Sequence, residues 1–116
     1  MRRILDTHIH CSTYRDDSLI PYARLNKLNY SLDGLLALME THGVEAGLLL
    51  SPPLKKGGTV PNKHILNLCE RSNDKLFPVL TVQPSSKSVA ETIEVAKRNR
   101  GYVKAFKIML GYAEVY

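Results

Sequence analysis

At 116 residues and 13.0 kDa, with 44% hydrophobic and 23% charged side chains, the chain has the composition of one ordinary globular domain. No apolar run approaches the roughly 18 to 20 residues of a membrane span, and Met1-Arg2-Arg3 leads into Asp6 and His8 rather than an apolar signal core, so a cytoplasmic location without membrane contact is expected. Sixteen Lys and Arg against eleven Asp and Glu give +5, an excess that favours anionic small molecules, whereas the lack of Trp, of any basic run beyond two residues and of a recognition motif excludes a nucleic-acid partner.

Short apolar runs alternate with longer amphipathic stretches, the pattern of parallel strands joined by crossover helices. Arg3 to Ile9 reads as the first strand, followed by a long polar loop over Cys11 to Tyr30. Ser31 is placed to cap a helix with Asp33 in its first turn, Leu32, Leu35, Leu36 and Met39 on one face and Gly43 at its end. Val44 to Leu50 is the second strand, stopped by Ser51-Pro52-Pro53. Ile65, Leu66, Leu68 and Cys69 mark a second helix ending near Asn73, and Leu76 to Val82 a third strand broken at Gln83-Pro84. The capping-box spacing of Ser88 and Glu91 predicts a third helix that starts at Ser88, buries Val89, Ile93 and Ala96, and ends at Gly101. Tyr102 to Leu110 closes the series as a fourth strand.

The order β-α-β-α-β-α-β over residues 1–116, with right-handed crossovers, sets the strands side by side in chain order with the helices on one face. A complete (β/α)8 barrel of the TIM type needs about 200 to 250 residues. The expected architecture is therefore α/β, the N-terminal half of such a barrel, cut just past the fourth strand.

Chemistry concentrates in Asp6-Thr7-His8-Ile9-His10 at the end of the first strand. Side chains alternate across a strand, so Asp6, His8 and His10 are expected on one face and Leu5, Thr7 and Ile9 on the other, against the helices. Two neutral imidazoles on one face suit a divalent cation such as zinc, and Asp6 one pleat further in could fix a ring tautomer. The bland alternative is a histidine pair that only caps a strand. Its position at a strand C-terminus, where (β/α) proteins place active sites, favours the metal. Cys11 and Cys69 lack C-x-x-C spacing, which argues against a disulfide framework or a thiolate zinc site, and Cys11 is expected to be structural.

The opening Ile4-Leu5-Asp6-Thr7-His8-Ile9-His10 resembles the first-strand metal motif of the amidohydrolase superfamily, in particular its amidohydrolase-related hydrolases and decarboxylases. The stretch from Thr41 to Pro52 is similar to that branch's first helix end and second strand, Asn62 through Val82 to its second helix and third strand, and Gly101 to Ile108 to its fourth. Only the histidine motif is chemically specific. The resemblance implies a barrel enzyme in which His8 and His10 bind a divalent metal, usually zinc, that activates water for hydrolysis of a C–N or C–O bond or serves a decarboxylation. It also implies further histidines from the fifth and sixth strands and an aspartate from the eighth, so this chain alone is expected to be inactive or to depend on another chain, a homo-oligomer included. Binuclear members carry a metal-bridging carboxylated lysine on the fourth strand, and Lys107 falls near that position; in mononuclear members the residue would be structural.

Arg15 and Arg24 in the long loop are candidates to clamp a substrate carboxylate, and Gln83 at the end of the third strand to bind substrate or merely the turn. Lys55 and Lys56 read as a solvated glycine-rich loop, His42 as a partner of a helix C-terminus, His64 as an exposed helix position and Lys104 as snorkelling at the start of its strand. Asp16-Asp17 faintly resembles the loop of the PHP phosphoesterases, an alternative weakened by Ser51-Pro52-Pro53 where that group carries an acidic-histidine ending. A non-catalytic, self-associating half-barrel is the third reading, because four strands leave a sheet face and two edges uncovered.

Overall fold

The computed structural model describes residues 3–11 and 14–108. Four parallel strands, β1 (Ile4–Ile9), β2 (Val44–Leu49), β3 (Leu76–Val82) and β4 (Ala105–Ile108), lie in the order β1-β2-β3-β4 and form a curled half-barrel sheet. Helices α1 (Ile20–Leu25), α2 (Leu32–His42), α3 (Asn62–Glu70) and α4 (Ser86–Arg98) occupy the connections. No described helix is long and apolar enough to cross a membrane.

The core forms where α2 and α3 press on the sheet. Leu32 and Met39 of α2, Ile65, Leu68 and Cys69 of α3, and Ile9, Leu49 and Leu76 of the strands are buried together with Cys11 and Val60. Ser31 caps α2 as its position in the sequence implies, its Oγ accepting the Gly34 N–H at 3.1 Å, and Gly43 ends the helix at φ 68°, in the left-handed region that glycine adopts without a Cβ penalty. The third strand matches its expected bounds, and β2 stops one residue short of Leu50.

Three expectations are corrected. The segment from Cys11 to Tyr30 contains the short helix α1, which starts beside Pro21 and buries only Ala23, too short and one-sided to show a 3.6-residue period. Helix α4 begins at Ser86, two residues before the expected start: the cap is Ser85, whose Oγ accepts the Ser88 N–H at 3.2 Å, while Ser88 Oγ accepts the Gln83 N–H at 2.9 Å. Thr92 is the buried position of that helix, whereas Val89 and Ile93 stay 41% and 46% exposed and Ala96 is only partly covered. The fourth strand starts later than Tyr102: the chain turns at Gly101 and Tyr102 and pairs with β3 from Ala105, while Met109 and Leu110 of the expected strand lie outside the described residues.

Candidate metal site at the end of the first strand

Parallel pairing puts each ladder partner on the same face, so the register of β1 on β2 decides where its side chains go. Leu5 pairs with Ala46 and Asp6 with Gly47, but Ile9 pairs with Leu49, so β1 spends three steps against two and bulges between Asp6 and Ile9. Gly47 explains the local fit. A Cβ there would meet Ile9 Cδ1, so glycine leaves room for Ile9 to fold over β2 into the core, and any larger residue makes the Ile9 side chain shift. Simple alternation therefore fails: Leu5 stands 65% exposed on the open face, and Asp6 shares a side with Leu49 and Leu76. The Asp6 carboxylate bonds to the backbone instead of an imidazole: its Oδ1 accepts the backbone N–H of His8 at 3.0 Å and ties the bulge. That replaces the expected tautomer-fixing role.

The bulge nevertheless brings the two histidines together. His8 Nε2 and His10 Nε2 are 3.1 Å apart, with the rings nearly perpendicular at 83°. His10 Nδ1 lies 2.9 Å from the Leu50 carbonyl, which can only accept, so Nδ1 carries the proton and Nε2 presents its lone pair toward His8. Burial holds the His10 imidazole below its ordinary value, opposed by the Leu50 hydrogen bond and by Asp17 and reinforced by the charges of His8 and Lys107. A neutral His10 with a fixed tautomer is the form that ligates a metal. The pair borders an open groove of about 310 Å³ lined by Asp6, Leu35, Leu38, Met39 and Val44 as well.

Lys107 pairs with Thr81, which puts it on the open face beside Ala105's side of the strand, as the alternation of β4 implies, and close enough for its charge to act on His10. Phe106 and Ile108 take the opposite side and stand 54% and 62% exposed. The remaining candidates do not converge on the histidines. Arg15 and Arg24 are exposed and make no ion pair among the described residues. Gln83 is held by its backbone, donating to Ser88 Oγ and accepting the Ser85 N–H at 2.8 Å, which is the turn-binding role. The side chains of Lys55 and Lys56 are in an exposed loop, and Lys104 Nζ donates to the Gly101 carbonyl at 2.7 Å while lying over the Phe77 ring. His42 ends α2 as expected.

His64 is not exposed. Its ring packs edge-on to Tyr14, its Nε2 is buried without a hydrogen bond, and burial, then Arg71, lowers its pKa. Composition offered no signal for that, since a lone helical histidine usually faces water.

Two structural roles escaped sequence reasoning. Asn62 at the start of α3 clasps the end of β3 in both directions, its Nδ2 donating to the Thr81 carbonyl at 3.0 Å and its Oδ1 accepting the Thr81 N–H at 2.8 Å. Asp17 is fully buried, with Oδ1 accepting the Leu19 N–H at 2.8 Å and Oδ2 turned inward near the Tyr30 hydroxyl. Asp16 Oδ2 accepts the Lys56 N–H at 3.2 Å, so the acidic pair clasps the loop after β1 to the loop after β2. Cys11 and Cys69 are buried free thiols, pushed up to about 11 and about 12 by burial.

Comparison with protein-family models, with curated proteins and with solved structures finds no match for this chain. Among the described residues no group of three or more His, Cys, Asp or Glu side chains is placed to hold a metal ion.

Proposed function

We propose that the chain is part of a metal-dependent hydrolase of the amidohydrolase type, a (β/α)8 design in which His8 and His10 supply two ligands of a divalent metal centre, zinc by the character of the donors. The observation that carries this reading is the 3.1 Å separation of the two Nε2 atoms at a strand C-terminus. Two nitrogens about 2.0 to 2.1 Å from one tetrahedral zinc stand about 3.3 Å apart, so the pair has the spacing of a chelate, reached when the proton on His8 Nε2 passes to its Nδ1 and both rings turn their Nε2 lone pairs to the metal. The Leu50 carbonyl supports it by accepting a hydrogen bond from His10 Nδ1–H, the outer contact that ligating histidines characteristically make.

The bound metal would supply polarisation of a substrate carbonyl and a lowered pKa for water. The chain's own residues do the rest. Leu50 orients His10, Asp6 holds the His8 backbone in the bulge, and Lys107 places a positive charge on the same face, suited to an anionic small molecule. Lys107 is also the residue that a bridged second metal would use after carboxylation. Two imidazoles fall short of the three protein ligands of a catalytic zinc, so the ligand set is completed from outside the described residues. A PHP-like phosphoesterase finds less support, because Asp16 and Asp17 spend carboxylate oxygens on backbone N–H groups.

Zinc retained after dialysis, measured for the parent and for His8→Ala with His10→Ala, tests the reading. Loss of bound zinc in the double variant, with the circular dichroism spectrum kept, is the expected outcome. Equal zinc in both would overturn it.

A further inference from the structure

We propose that Asp17 is the buried counter-charge of the metal centre, a positioning residue that destabilises the metal-free chain and strengthens the hold of His8 and His10 on a dication; this rests on the metal reading of that pair.

Asp17 has no exposure to solvent. Its Oδ1 accepts the Leu19 N–H at 2.8 Å, but Oδ2 is buried without a hydrogen bond, and so is the Tyr30 hydroxyl near it. No Lys, Arg or His forms an ion pair with the carboxylate among the described residues. His10, a candidate cation at that end of the sheet, spends Nδ1 on the Leu50 carbonyl and Nε2 on His8. An ionised carboxylate shut away from water with one oxygen unanswered weakens a fold strongly unless a cation balances it. The local bonding does not call for that charge. An asparagine would accept from Leu19 through Oδ1 and donate from Nδ2 to the Tyr30 hydroxyl.

The clasp between the two loops ties Asp17 and His10 to the same exit of β2. Ser18 N–H donates to the Pro53 carbonyl at 3.0 Å and Lys55 N–H to the Asp16 carbonyl at 2.9 Å, which pins Asp17 against Leu54. A little earlier in that loop, the Leu50 carbonyl holds His10 Nδ1 at 2.9 Å, and the Leu50 N–H returns to the Ile9 carbonyl at 3.0 Å. The charge carries across this short span. Burial acts first on His10, Cys11 and Tyr30, lowering the imidazole and raising the thiol and the phenol; Asp17 opposes the first and adds to the other two, so its field reaches all three. Lys107 bears on His10 with the opposite sign. Without Asp17, a dication would meet the histidines under the field of Lys107 alone; with it, the buried negative charge attracts the metal and is itself balanced.

The test compares the 116-residue chain with Asp17→Asn in two measurements. In EDTA, the variant is expected to unfold at a urea midpoint about 0.5 M or more above the parent, because a buried charge is removed and its hydrogen bonds are kept. In zinc titration against a competing chelator, it is expected to bind at least about threefold more weakly. A merely structural carboxylate cannot give these opposite signs, since its loss lowers both or neither. A midpoint at or below the parent's, or a variant that fails to fold in EDTA, overturns the proposal. Unchanged zinc affinity in Asp17→Asn, with binding abolished in His8→Ala with His10→Ala, overturns it and leaves the histidine site standing. Zinc that survives the double histidine variant, or a parent that takes up none, removes the metal centre and this role with it.

Discussion

β1 and β3 are both parallel strands of one sheet, yet they do opposite jobs. In β3, Leu76, Pro78, Val79, Leu80 and Thr81 are buried, and Asn62 clamps its end. In β1 only Ile9 is buried, and the strand is bulged, edge-placed and occupied by ionisable side chains. The difference shows where such a sheet can place chemistry. A strand held on both sides by neighbours and covered by α3 is filled by packed, uncharged side chains, whereas an edge strand has room to distort and aim two imidazoles at one point.

The widest way to test that contrast is to trim a leucine from each strand. Leu76→Ala, at a position with no exposure, is expected to cost about 2 to 5 kcal/mol in urea denaturation, because it leaves a cavity beneath α2 and α3. Leu5→Ala is expected within about 0.5 kcal/mol of the parent. Equal losses would mean that β1 belongs to the core after all. Next in size is Gly47→Ala, where the new methyl meets Ile9 Cδ1; about 1 to 3 kcal/mol is expected, with part of it restored when Ile9→Val removes that atom. Additive losses in the double variant would show that the bulge does not depend on this contact.

What was legible in the residues follows the same division. The bounds of β3 follow from its continuous apolar run, and the ends of α2 from Ser31 and Gly43, because those signals are local. The convergence of His8 and His10 was legible as well, but not its route. Alternation misplaces Asp6 and Leu5, since the bulge arises from a contact between Ile9 and Gly47, 38 positions apart in the chain. The start of α4 was missed for a local reason: Ser85 and Ser88 both precede the helical pattern, and the capping-box spacing favours Ser88, whose hydroxyl is taken by the Gln83 N–H. Val89 and Ile93 lie on the stripe that should be buried, yet Thr92 is the residue that packs, with its Oγ1 returned to the Ser88 carbonyl at 2.7 Å. Periodicity reports that a face exists and cannot say which neighbour the sheet supplies for it.

The two cysteines connect the regions, Cys11 just past β1 and Cys69 on α3, and they set a pH limit. Unfolded thiols titrate near 8.5, while burial pushes Cys11 up to about 11 and Cys69 up to about 12. Between those values the folded chain binds more protons at the thiols than the unfolded one, so their contribution to stability is level up to about pH 8.5 and falls above it, by up to about 1.4 kcal/mol per pH unit for each thiol. Cys11→Ala with Cys69→Ala should flatten that slope in denaturation curves taken from pH 8 to 10. An unchanged slope would place its origin in other groups.

The smallest expected effect is the most telling about β1. If Asp6 worked by orienting an imidazole, Asp6→Asn would weaken zinc binding by about tenfold or more, as the loss of an outer-shell carboxylate does. Its carboxylate instead accepts the His8 N–H at 3.0 Å, a bond that an asparagine oxygen makes equally well. Asp6→Asn is therefore expected to stay within about twofold of the parent in zinc affinity, while Asp6→Ala, which frees the bulge, weakens it several-fold. Titration of both variants separates the roles: a large loss already in Asp6→Asn would return the carboxylate to the metal's surroundings, and no loss in either would leave the bulge to Gly47 and Ile9 alone.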